Sequence, residues 1–178
     1  ARIKVVGVEM VYIPSAPFWI GDGDNTQESN LSFHKTAADN ISVQITTSAK
    51  SITVDDNANE DIDSTPVNVD GDGGITGNSD YPTGYNAFYI IKYELSEEQW
   101  VDFFNTLSVV AKTNRDITSS SGKNSDSVVN RNTITWSSGN ASTSRLDRAC
   151  CYLSWMDLCA FSDWAALRPM TSLEYEKA

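Results

Sequence analysis

Two stretches of the chain repeat apolar residues at helical spacing, and several shorter ones alternate apolar with polar. The clearest helix opens at Ser96-Glu-Glu-Gln99, a capping box in which hydroxyl and carboxamide satisfy orphan amides reciprocally. Trp100, Phe103, Phe104 and Leu107 follow on one wide apolar face, which reads as core and not as a cofactor stripe. Ser154 to Asp157 repeats the pattern, and Trp155, Leu158, Cys159, Phe161 and Trp164 are expected to bury the helix behind it. A third capping box, Thr171-Ser-Leu-Glu174, opens a helix shortly after Arg168-Pro169.

The N-terminal part reads as strands. Ile3 to Val6 and Val8 to Ile13 are short β-branched runs, and Pro14 and Pro17 turn the chain into Phe18-Trp-Ile. Residues 22–86 form an acidic, loop-rich excursion whose strand-like pieces, Ile41 to Ile45 and Ile52 to Val54, alternate as a half-buried hairpin would. A structureless loop of that length is improbable in a compact domain, so the excursion is expected to be ordered but irregular. Residues 112–147 form a second polar excursion, with Thr133 to Trp136 as a short strand. No internal repeat is evident.

At 178 residues the chain suits one domain with a real core, 1–178. Its five Trp, seven Tyr and six Phe argue for a packed globule. Acidic residues outnumber basic ones 24 to 13, for a net charge of −11. Such a surface repels phosphate backbones, which disfavours nucleic acid and anionic membrane as partners; acidity for solubility explains the charge equally well. No apolar run approaches the ~20 residues of a membrane span. A start at Ala1 fits either a mature end or a trimmed one.

The three cysteines, Cys150, Cys151 and Cys159, make no C-x-x-C, so neither a zinc knuckle nor a thioredoxin-like site is present. Core packing is the expected role of small cysteines on a helix. His34 has no second His beside it in the sequence, which leaves a solvated surface histidine as its reading. The strongest candidate for metal is calcium. Asn68-Val-Asp70-Gly-Asp72-Gly73 places oxygens at positions one, three and five and Gly at six, the opening of an EF-hand-like loop. Ser79 stands where the loop needs a bidentate Glu, so Asp80 or the acidic run from Asp55 to Asp63 would have to complete the shell. A solvated Asp/Gly turn is the competing account. Trp136, between two polar stretches, is the tryptophan expected to be most exposed and so the candidate for sugar stacking, with partial burial under a loop as the alternative.

Four segments, in order, resemble the formylglycine-generating-enzyme or sulfatase-modifying-factor domain. They are Met10-Val-Tyr-Ile-Pro-Ser-Ala-Pro-Phe-Trp-Ile-Gly21, Phe88-Tyr-Ile-Ile-Lys-Tyr-Glu-Leu-Ser-Glu-Glu-Gln-Trp-Val-Asp-Phe-Phe104, Ser154-Trp-Met-Asp157, and Leu167-Arg-Pro-Met-Thr-Ser-Leu-Glu-Tyr-Glu-Lys-Ala178. The resemblance implies an α+β, C-type-lectin-like fold with antiparallel strands, few helices and long irregular loops. In the family's enzymes a reactive cysteine pair binds copper and oxidises a sulfatase cysteine. That pair lies downstream of the last block, and none of Cys150, Cys151 and Cys159 matches it, so no catalytic residue is carried over. Arg168 and Glu174 match the family's structural motif. The spelling of the last block looks closer to bacterial and phage surface members than to the enzymes.

The sequence therefore leads to a non-catalytic, secreted or surface binding or structural module with a glycan or protein ligand. The alternatives are a fragment of a copper-dependent oxidoreductase cut before its active site, and a self-assembling subunit of an extracellular filament. A helix opening so near Ala178 favours the fragment, because one that short needs something packed on it.

Overall fold

The computed structural model of the chain describes residues 5–21, 42–46, 53–54, 62–63, 82–118 and 131–178. In chain order the elements are β1 (Met10–Ile13), β2 (Phe18–Ile20), β3 (Val43–Ile45), β4 (Thr53–Val54), β5 (Ile62–Asp63), β6 (Phe88–Ile91), α1 (Glu97–Thr106), α2 (Val109–Asn114), β7 (Ile134–Thr135), β8 (Ser142–Thr143), α3 (Trp155–Trp164) and α4 (Ser172–Lys177). The result is a small mixed α/β protein with few helices and short two-stranded sheets. β1 pairs with β6, and the antiparallel pairs are β2 with β3, β4 with β5, and β7 with β8. The chain divides into two compact units, residues 1–10 with 91–169 and residues 11–90 with 170–178.

In the first unit, α1 begins at the expected capping box. The Ser96 hydroxyl accepts from the Gln99 amide at 3.2 Å, and the Ser96 amide donates to Gln99 Oε1 at 3.0 Å. The predicted apolar face is the core. Trp100, Val101, Phe103 and Phe104 are buried with Ile117, Ile134, Ala141 and Phe161, and Leu107 packs on them half-buried. Phe103 meets the edge of Phe161 at 5.8 Å and Trp164 at 5.7 Å, which fastens α3 to α1. Replacing a ring of this kind by Ala costs about 3–5 kcal/mol.

The helix α3 departs from expectation. It starts at a capping box, with Ser154 N–H donating to Asp157 Oδ2 at 2.9 Å and Asp157 N–H to Ser154 Oγ at 3.3 Å. Of its apolar residues only Phe161 is buried, while Cys159 is half-buried and Trp155, Met156, Leu158 and Trp164 are exposed. The segment is apolar on every side, so periodicity names no single inner face, and α1 covers just one of them. The helix ends in a Schellman turn, with Leu167 N–H bonding Ser162 O at 2.8 Å and Ala166 N–H bonding Asp163 O at 3.2 Å.

In the second unit β2 and β3 pair in the register Phe18↔Ile45, Trp19↔Gln44, Ile20↔Val43. The piece ending at Ile45 thus pairs with β2 and not with the run to Val54, which instead forms a short pair with β5. Alternation announces a strand but carries no name for its partner. Along β2 the side chains alternate, and Ile20 is fully buried while Trp19 faces outward. The N-terminal run is also shorter than expected, since Val5 to Glu9 form no strand.

The last helix, α4, packs on β2. Its capping box is complete, with Thr171 N–H donating to Glu174 Oε2 at 2.9 Å and Glu174 N–H to Thr171 Oγ1 at 3.1 Å. The Thr171 hydroxyl also donates to Pro82 O at 2.9 Å. Leu173 and Glu174 are buried. Gly84, at φ +80°, lies so close that a Cβ there would meet Leu173 O and Phe18 Cζ, each at 3.0 Å.

Candidate functional site

The polar interior of the first unit is organised by two carboxylates. Glu97, in the first turn of α1, is fully buried. Its Oε1 accepts the Thr133 amide at 3.1 Å, and its Oε2 accepts the hydroxyls of Thr133 and Thr143. One carboxylate therefore joins both limbs of the β7–β8 hairpin to the helix start, where negative charge is favoured. Asp157, also fully buried, accepts Arg115 Nη1 at 3.0 Å, and Arg115 donates further to Met156 O at 3.2 Å. The Arg115 guanidinium thus ties the end of α2 to the start of α3.

Cys150 and Cys151 lie in the field of these carboxylates. Burial pushes the Cys150 thiol far above its ordinary value, and the neighbouring Cys151, Glu97 and Asp157 push it further. Burial, with Glu97 second, also raises Cys151, opposed by a backbone hydrogen bond and then by Arg131 and Arg148. All three cysteines are free and half-buried. A neutral thiol is a poor nucleophile and a poor metal ligand, and Cys150 packs against the core of the first unit.

Trp136 is half-buried and not the most exposed tryptophan. It sets its ring against the edge of Phe104 at 5.2 Å and donates Nε1–H to Gly139 O at 3.2 Å. Trp19, 62% exposed, and Trp155, 63% exposed, are the most exposed tryptophans among the described residues. The hairpin turn below Trp136 is further held by Lys112, whose ammonium donates to Gly139 O at 2.8 Å above the Phe104 ring.

The second unit carries an aromatic pair that sequence reasoning did not single out. Tyr12 on β1 and Tyr89 on β6 are 55% and 65% exposed, with ring centroids 5.3 Å apart and planes tilted by 54°. Tyr89 alternates with half-buried Phe88 and Ile90, an alternation the uniformly apolar run Phe88 to Ile91 does not announce in the sequence. Its meeting with Tyr12 is not announced either, because β1 and β6 are far apart along the chain.

The residues named for calcium, Asn68, Asp70 and Asp72, lie outside the described residues, as do Asp80 and His34. Among the described residues no three His, Cys, Asp or Glu side chains gather as a metal site. No helix among them is long and apolar enough to cross a membrane.

The fold and these groups define the chain as a small mixed α/β protein with outward aromatic side chains and buried, hydrogen-bonded carboxylates. No protein family, curated protein or solved structure matches it.

Proposed function

We propose that this chain is a non-catalytic binding module of the sulfatase-modifying-factor type, with a C-type-lectin-like fold, acting outside the cell or on a cell or virion surface. The observation that carries the reading is the Tyr12–Tyr89 pair, two outward rings held 5.3 Å apart on paired strands. Rings so placed offer apolar faces and hydroxyl tips to a ligand that is itself half apolar, half polar, as a saccharide is. Calcium, held through Asn68, Asp70 and Asp72, is the ion proposed to accompany it.

The test is a saccharide array followed by calorimetry on the intact protein, with and without calcium. Binding that is lost in a folded Tyr12→Ala/Tyr89→Ala double variant supports the reading. Binding that persists in that variant moves the ligand elsewhere, and a protein that instead oxidises a sulfatase-derived cysteine peptide with copper is the oxidoreductase.

A further inference from the structure

The far end of α4 is fastened by a single side chain with four partners. Lys177 Nζ donates to Gly84 O at 2.6 Å and to Tyr85 O at 3.1 Å. The same ammonium lies 5.5 Å from the centroid of the Phe18 ring and 5.6 Å from that of Phe88. Two carbonyls and two aromatic rings are the elements from which proteins build receptors for ammonium ions: charge-assisted hydrogen bonds fix position, and ring quadrupoles replace lost water. A lysine suits it, with three donors on a compact charge. Burial pushes the Lys177 pKa below its ordinary value.

The walls come from separate pieces of the second unit. Phe18 is on β2, Phe88 is on β6, and Gly84 and Tyr85 precede β6. Tyr85 O also accepts the Ala16 amide at 3.3 Å, and Ser15 Oγ accepts the Ala87 amide at 2.7 Å, so the carbonyl side is braced independently of α4. A helix of six residues has little stability of its own and stays formed through what it packs on.

We propose that Phe18, Phe88 and the carbonyls of Gly84 and Tyr85 form a recognition site for a primary alkylammonium, filled in cis by Lys177, whose occupancy keeps α4 seated. Lys177→Ala empties the site and leaves room for a free amine to replace the missing stem.

Amide hydrogen exchange on the full chain tests this. Exchange at Leu173 to Tyr175 is expected to rise at least about tenfold in Lys177→Ala, with α1 amides unchanged as the control. Added n-propylammonium is expected to restore protection, and tetramethylammonium at equal ionic strength to fail, because it has no N–H for the carbonyls. Lys177→Met keeps the stem, so it is expected to lose protection without rescue, and it serves if the alanine variant does not fold. Unchanged exchange in both variants, no rescue by propylammonium, or equal rescue by both cations overturns the proposal.

Discussion

The side chain of Asn105 bonds both sides of the Ala141 backbone. Its Nδ2 donates to Ala141 O at 3.0 Å, and its Oδ1 accepts the Ala141 amide at 2.7 Å. A residue in α1 thereby acts as a neighbouring strand would for the start of β8. Asn105→Ala leaves both groups without that partner beside a buried residue and is expected to lower stability by about 2 kcal/mol. Asn105→Asp keeps the acceptor but not the donor and is expected to be destabilised as well, since its carboxylate then faces Ala141 O. Urea unfolding of the three proteins checks both expectations.

Two positions with positive φ predict substitutions of opposite sign. Ala166, at φ 57°, occupies the turn that ends α3, a conformation in which an L side chain crowds its own carbonyl. Ala166→Gly is expected to raise stability by about 1 kcal/mol. Gly84→Ala meets strain from its backbone and collision with Leu173 O and Phe18 together. It is expected to cost more than Ala166→Gly gains, with the loss read as accelerated exchange in α4.

The thiols predict alkaline weakening. Burial holds Cys150 and Cys151 above their ordinary 9.0, so the unfolded chain ionises first as pH rises. Their contribution to stability is complete below the unfolded value and is lost as pH climbs through the folded ones. The melting temperature is expected to show no thiol-dependent slope up to about pH 8 and to fall above about pH 9, less steeply in Cys150→Ala. At neutral pH, iodoacetamide is expected to label Cys150 more than about tenfold slower than a free cysteine.

Fluorescence separates the tryptophans. In variants that retain one tryptophan each, acrylamide is expected to quench Trp19 and Trp155 strongly and the fully buried Trp100 hardly at all. Trp136, edge-on to Phe104, is expected to lie between them. Equal quenching of Trp136 and Trp155 contradicts the packing described for the β7–β8 turn.

What the sequence made legible was local. All three capping boxes are present, because each depends on residues three apart and on nothing more distant. The inner face of α1 was equally legible, since Trp100, Phe103 and Phe104 share one side and polar residues mark the other. Long-range relations were not. Gln44 opposite Trp19, Lys177 against Gly84, and Tyr12 beside Tyr89 each join segments whose pairing no local pattern encodes. In α3 an apolar composition does not mean burial, since Trp155 and Met156 face outward.

Asn132 brings these threads to one place. Its Nδ2 donates to Ile117 O at 3.0 Å and its Oδ1 accepts the Ile134 amide at 3.0 Å, within the core of the first unit. The chain that leaves at Ile117 and returns at Asn132 is clasped shut where it enters and exits. Closing a longer segment costs only about 0.6 kcal/mol for each doubling of its length. A change in the number of residues between Ile117 and Asn132 is therefore expected to cost the core of the first unit little, because the Asn132 clasp holds both ends whatever the length between them.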